Sequence, residues 1–219
     1  MAASLAAGAF LGRRSQSSLK LTGLEKASLG LGAFCGALIG AKLVFLLIDP
    51  RAPRSFADLF DGGKTILGGL LGGYFGVELA KWTLELKVKT GDSYAVPVAA
   101  SVAIGRLACF VGGCCYGTPT ALPWGVDFGD GVPRHPTQLY EAAFHGGMAL
   151  FLHKLRREGR YPRQLMKLYI LSYLVYRFAT EFIRPEPRLF QGLTGYQLLA
   201  LAMIPLFVFL WKRDEAVYG

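Results

Sequence analysis

The length of its apolar runs constrains this chain more than any other feature. Six mostly apolar stretches follow one another at Leu29–Ile48, Ile66–Leu86, Tyr94–Val111, Leu139–Leu155, Leu168–Phe182 and Leu198–Trp211. A hydrocarbon core about 30 Å thick is crossed by about 20 helical residues. The pattern therefore predicts an all-α integral membrane protein, with about six transmembrane helices around a polar site open to lipid and to the outer face. With 53% hydrophobic and 18% charged residues, disorder is excluded and the composition argues against a water-soluble domain. Four Cys in 219 residues make no disulfide framework. The expected organisation is an N-terminal segment over 1–28, a transmembrane domain over 29–212 and a tail over 213–219.

Glycine is dense in the second run, at Gly68, Gly69, Gly72, Gly73 and Gly76. Small residues four apart let membrane helices approach closely, and no Lys-Ser/Thr follows to make a phosphate loop. Met1–Gly12 is apolar but too short to span and has no basic region before it. It reads as neither a signal peptide nor a full helix, and as a segment lying at the interface beside Arg13, Arg14 and Lys20.

Charge sets the expected orientation. Six spans put both termini on one side. Fourteen Lys and Arg fall on the side holding the termini and the Lys154–Lys167 loop, against six on the other. The positive-inside rule places the richer side in the cytoplasm. The net charge of +9 is thus a topology signal beside anionic headgroups, and no nucleic-acid partner is expected.

Three polar clusters fall on the outer side. Arg177, Glu181 and Arg184 are spaced i, i+4, i+7, which predicts one helix face. The spacing fits an intrahelical ion pair, and it also fits a cationic stripe holding a phosphate, since guanidinium forks match phosphate geometry. The second cluster, Arg134-His135-Pro136-Thr137-Gln138-Leu139-Tyr140-Glu141, enters the fourth span. Glu141 and His145 share a face there. The third cluster closes the third span with Arg106, Cys109, Gly112, Gly113, Cys114 and Cys115. The glycines permit unwound backbone at membrane depth. The thiols read as small packing residues, as substrate contacts, or as a metal or redox pair. Adjacent cysteines are poor zinc spacing beside C-x-x-C, so no metal, no cofactor and no obligatory Cys114–Cys115 disulfide are expected.

At these residues the chain resembles the prolipoprotein diacylglyceryl transferase family of the bacterial inner membrane. His135-Pro136-Thr137-Gln138-Leu139-Tyr140-Glu141 matches the family's H-P-[ST]-Q-L-Y-E in full. Gly105, Arg106, Phe110 and Gly117 match four of eight fixed positions in G-R-x-G-N-F-x-N-x-E-x-x-G. Arg177-Phe178 with Glu181 and Arg184, and Gly192-Leu193-Thr194 with Gln197, are similar to two further motifs. Asp61-Gly62-Gly63 through Gly68-Gly69 aligns with D-G-G-x-x-x-H-G-G. The resemblance implies transfer of diacylglyceryl from phosphatidylglycerol to a prolipoprotein cysteine. It further implies catalytic roles among His135, Glu141 and Glu181, and phospholipid contacts from Arg106, Arg177, Arg184, Arg134, Gln138, Tyr140 and Gln197.

The departures are specific. The family's H-G-G histidine falls on Leu67, its signature glutamate on Cys114, and its two asparagines on Cys109 and Gly112. Leu67, Cys109, Cys114 and Cys115 would then line an altered acceptor pocket. Loss of the histidine and the glutamate leaves three alternatives open: a prolipoprotein thiol as acceptor, a non-lipoprotein acceptor with the same donor, or phospholipid binding without catalysis. The family usually has seven spans with the N-terminus outside, and with six spans read here the expectation is that the first is missing.

Overall fold

A computed structural model of the chain describes residues 2–17, 19–48, 63 and 65–218. Seven α-helices are found among the described residues: α1 (Ala2–Gln16), α2 (Gly23–Ile48), α3 (Ile66–Thr83), α4 (Gly91–Val111), α5 (Thr137–Arg157), α6 (Leu165–Thr180) and α7 (Gly195–Tyr218). Each of the six apolar runs forms one of the helices α2 to α7. Among the described residues, three helices are long and apolar enough to cross a membrane: α2, α4 and α7, the last over Gly195–Val217. The ionisable residues of the third, fourth and fifth runs suggest weak spans, yet the third run, α4, qualifies in spite of Arg106. Helix α6 has only 16 residues, and α3, α5 and α6 carry Glu78 and Lys81, Glu141 and His145, and Lys167 and Arg177.

The N-terminal segment corrects one expectation, because Ala2–Gln16 is a helix. At 1.5 Å per residue it is about 22 Å long, shorter than a hydrocarbon core. It packs on α4, where Ser4 Oγ donates to the Ser101 carbonyl at 2.7 Å. At its far end Arg156 of α5 donates to the Ser15 hydroxyl and, at 3.0 Å, to the Ser15 carbonyl.

Helices α2 and α3 approach each other backbone to backbone. Gly32, Gly36 and Gly40 of α2 face Gly76, Gly72 and Gly68 of α3. A methyl group on Gly36 would lie 2.9 Å from Gly76 Cα, and one on Gly40 would lie 2.7 Å from Gly72 Cα. The antiparallel backbones touch with no side chain between them, as small residues four apart allow. Thr65 caps α3, its Oγ1 accepting from Gly68 N at 3.0 Å. Lys81 is buried and donates to Glu78 at 2.8 Å.

The apolar centre is built from α6 (Tyr169, Ile170, Tyr173, Leu174), with Leu67 and Leu70 of α3, Leu152 of α5 and Phe207 of α7. At one end of the bundle Asp214 of α7 is buried. It accepts from Lys89, before α4, at 2.7 Å and from Lys167 of α6 at 2.6 Å. At the other end lie two short antiparallel ladders, additions to the all-α expectation. Val126–Asp127 (β1) pairs with Pro133–Arg134 (β2), and Arg188–Phe190 (β3) with Leu193–Thr194 (β4). Asp127 closes the first turn by accepting from the backbone N–H groups of Gly129, Asp130 and Gly131. Arg51, Arg54 and Lys64, used in the charge count, and Asp61-Gly62 of the glycine motif lie outside the described residues.

Candidate functional site

Glu141 lies one turn into α5, facing inward at 1% exposure. Three arginines from two other segments converge on its carboxylate. Arg106 of α4 pairs with Oε2 through its Nε. Arg184 donates to Oε1 at 2.8 Å, and Arg177 of α6 lies 3.6 Å from the same oxygen. Arg177 also pairs with Glu181 at 2.8 Å and lies over the Tyr196 ring at 4.9 Å. Glu181 in turn accepts from Thr194 Oγ1 at 3.0 Å. All five ionised side chains are buried. Charges withdrawn from water to this degree need partners, and here each has one.

Arg177, Glu181 and Arg184 do come together, but not on a single helix face as expected. Helix α6 ends at Thr180, a 3₁₀ turn follows over Glu181–Ile183, and Arg184 is extended at φ −104°, ψ 146°. The next residue is Pro185, and a residue before proline is driven from helical to extended backbone. Arg184 therefore swings to Glu141 instead of stacking above Arg177.

The cysteines are positioned by the end of α4. Gly113 takes a left-handed φ of +63°. Its N–H donates to the Phe110 carbonyl at 3.1 Å, and Cys114 N–H donates to the Cys109 carbonyl at 3.2 Å. These two bonds and the left-handed glycine form a Schellman cap, which folds the residues after the helix back over its last turn. Cys115 is itself left-handed at φ 63°, a conformation that costs a non-glycine residue about 1–3 kcal/mol. The three sulfurs of Cys109, Cys114 and Cys115 consequently lie within 4.8 Å of one another. The loop is held from below: Gln138 Nε2 donates to the Cys114 carbonyl at 2.5 Å. Thr137 Oγ1 and Arg184 donate to the Cys115 carbonyl at 2.8 and 3.2 Å. Hydrogen bonding with the Cys109 thiol, and the charges of Arg106 and Arg184, hold the Cys115 thiol below its usual range against partial desolvation.

A cavity of about 580 Å³ joins these groups. Arg106, Arg177, Arg184, Leu67 and the three cysteines line it, together with Tyr173, Tyr196, Glu186 and Ser101. Glu141 and Glu181 sit behind the arginines. The remaining candidates are elsewhere. His135 lies on the loop before α5, its Nδ1 3.3 Å from Tyr140 Oη, which accepts from Trp124 at 2.7 Å. Arg134 pairs with Asp130 at 2.6 Å and lies over Tyr116. Gln197 is fully buried and bridges Thr194 N and the Phe178 carbonyl at 3.0 and 3.2 Å. His145 is engaged by Tyr169 Oη at 2.7 Å, so its hydrogen bond goes to α6 and not to Glu141. The spacing of residues along the chain did not single out Tyr173, Tyr196 or Thr194. Of these, Thr194 and Tyr196 sit in the segment leading to Gln197 that the motif comparison had marked.

The family model described as prolipoprotein diacylglyceryl transferase matches residues 1–213. A phosphatidylglycerol--prolipoprotein diacylglyceryl transferase of Clostridium tetani is 32% identical over 195 residues, covering 82% of this chain and 77% of its own. The protein of the same name from Nitratidesulfovibrio vulgaris strain Miyazaki F is 35% identical over 198 residues, covering 84% and 74%. That of Cupriavidus necator is 32% identical over 203 residues, covering 82% and 72%. The match takes in the arginine cluster, the loop before α5 and nearly every described helix, and the chain belongs to the prolipoprotein diacylglyceryl transferase family.

Proposed function

We propose that this protein is a membrane transferase that moves diacylglyceryl from phosphatidylglycerol to the cysteine thiol of a prolipoprotein. The observation carrying this reading is the convergence of Arg106, Arg177 and Arg184 on Glu141 at the wall of one cavity. Attack at the glycerol carbon breaks a carbon–oxygen bond, and negative charge grows on the departing phosphate. Preorganised cations in a water-poor site stabilise such charge with little reorganisation. Glu141 and Glu181 hold the guanidiniums in position. His135 makes no ion pair among the described residues and is the group proposed to take the acceptor's proton. Gln138, Tyr140, Arg134 and Gln197 support the loops around the phospholipid, and Leu67 with the cysteines forms the acceptor side. A thiol with pKa near 8.5 is an easy group to deprotonate, which suits a site whose aligned histidine is leucine.

The proposed setting is the bacterial inner membrane. It has six spans, α2 to α7, within a domain over 29–212, flanked by the N-terminal segment 1–28 and the residues 213–219. Both termini are cytoplasmic and the arginine cluster faces outward, as the positive-inside count supports. Single cysteines introduced between Lys154 and Lys167 are expected to react with a membrane-impermeant maleimide only from the cytoplasmic side. Labelling there from outside would reverse the orientation.

Supplying the protein to cells depleted of their own prolipoprotein transferase tests the activity. Rescue with diacylglyceryl on prolipoprotein cysteines is the expected result. Consumption of phosphatidylglycerol without rescue would redirect the acceptor, and no consumption at all would overturn the enzymatic reading. Arg177→Ala and Arg184→Ala each remove one charge-assisted phosphate contact, about 1.5–3 kcal/mol. Phosphatidylglycerol turnover should therefore fall about ten- to a hundredfold in each. Unchanged turnover in both would refute the phosphate clamp.

A further inference from the structure

We propose that Cys109, Cys114 and Cys115 form a three-thiolate site for a thiophilic divalent cation of the zinc class, with its fourth position open to the cavity where the acceptor thiol binds. The inference rests on the reading of a thiol acceptor given above, and it departs from the expectation of no metal. That expectation weighed only the adjacent pair Cys114-Cys115. The Schellman cap adds Cys109 by folding the loop over the last turn of α4, so the donors come from three chain positions and not two.

The geometry fits a metal. Three sulfurs about 2.3 Å from one ion stand roughly 4 Å apart, given the usual zinc–sulfur distance. The sulfurs here lie within 4.8 Å of one another, so a small inward movement closes the set. All three cysteines line the 580 Å³ cavity, so an ion held by them would sit in its wall. Zinc sites that keep three protein ligands leave the fourth position for water or substrate. Three thiolates and a dication carry one net negative charge. The guanidinium of Arg184 is on hand to offset it, donating to the Cys115 carbonyl at 3.2 Å.

The chemistry answers the loss at Leu67. A thiol coordinated to such an ion is deprotonated outright, so the metal performs the activation for which leucine has no atom. The acceptor thiol gives its proton to His135 or to water and binds as thiolate. Its sulfur then forms the new bond to the glycerol carbon of phosphatidylglycerol as the carbon–oxygen bond to phosphate breaks. Both electrons of that bond leave with the phosphate, which the arginines receive. No oxidant or reductant enters the balance.

The test uses the full chain purified in detergent, stripped of metal and titrated with Cd²⁺ as a spectroscopic stand-in for zinc. One equivalent is expected to produce the ultraviolet sulfur-to-cadmium charge-transfer band, and zinc should compete for it. The band should be lost in Cys109→Ser and in Cys115→Ser and retained in Cys35→Ser, whose thiol lies on α2. Matching elution and unfolding profiles identify variants that fold. A short peptide bearing one cysteine should intensify the band through a fourth sulfur, and its serine counterpart should not. Absence of the band in the parent protein would overturn the proposal. Persistence of the band in folded Cys109→Ser and Cys115→Ser protein, or indifference to the thiol peptide, would overturn it equally. None of these readouts depends on phosphatidylglycerol turnover. A metal-free protein that transfers normally would thus sink the metal site alone, and a metal-binding protein without turnover would sink only the transferase reading.

Discussion

Glu141→Ala is expected to lower stability and abolish phosphatidylglycerol turnover together, and by more than any single arginine substitution. The carboxylate is the shared partner of Arg106, Arg177 and Arg184. Its removal leaves three buried cations facing one another. Breaking a buried pair by deleting one partner costs about 3–5 kcal/mol, and here one deletion removes the carboxylate shared by Arg106 and Arg184 and leaves Arg177 with Glu181. Turnover should fall more than about a hundredfold on that scale. Arg184→Ala, by contrast, leaves Glu141 with Arg106 and Arg177, so the unfolding midpoint in detergent should drop less. A Glu141→Ala protein with the parent midpoint and normal turnover would show that the carboxylate does not organise the cluster.

The second large effect is expected where α2 crosses α3. Gly36→Ala and Gly72→Ala each put a methyl group against opposing backbone, 2.9 Å from Gly76 Cα and 2.8 Å from Gly40 Cα respectively. Backbone cannot rotate away as a side-chain tip can. Overpacking of this kind costs about 1–3 kcal/mol. Two controls separate the crossing from a general intolerance of change. Gly73→Ala would meet only Ala33 O at 3.4 Å and Ala37 Cβ at 3.5 Å, an ordinary contact. Gly30→Ala would meet nothing within 4 Å and exchanges glycine for the best helix former, worth about 1 kcal/mol. Thermal unfolding of the four variants should rank Gly36 and Gly72 far below the parent, with Gly73 near it and Gly30 at or above it. Equal midpoints for all four would mean that the two helices are not seated on each other through their glycines.

The helices were legible in the sequence because their signals are long and redundant. Ile66 begins α3 where the apolar run begins, and α5 starts at Thr137, directly after Pro136. What escaped depends on single residues acting over a few positions. A heptad of helical spacing from Arg177 to Arg184 ignored Pro185, which straightens the backbone at Arg184. Cys109 was read as a helix residue and Cys114 as a loop residue. Gly113, one residue with positive φ, makes them neighbours. Helix α1 was missed because its apolar content is too short to announce itself. It is secured by Ser4 on Ser101 and by Arg156 on Ser15, contacts between residues about 100 or more positions apart that no local pattern reveals. In the candidate site, Arg106 and Glu141 could be named individually. Their pairing across two helices could not.

Asp214 has a mechanical consequence. It ties α7 to α6 through Lys167 and to the start of α4 through Lys89, at the end of the bundle remote from the arginines. Neither Asp214 nor its two lysine partners lines the cavity beside the arginines. At the opposite end the guanidiniums are held by Glu141 and Glu181, and under the proposed function a lipid phosphate would compete for the same donors. One end of the bundle is therefore riveted while the other is fastened by contacts that the arriving lipid can exchange. Admission of a two-chained molecule should splay the helices about the Asp214 end like tongs about a pin. Amide exchange along α7 should accordingly be slow near Asp214 and quicken toward Gly195 only while phosphatidylglycerol is being turned over.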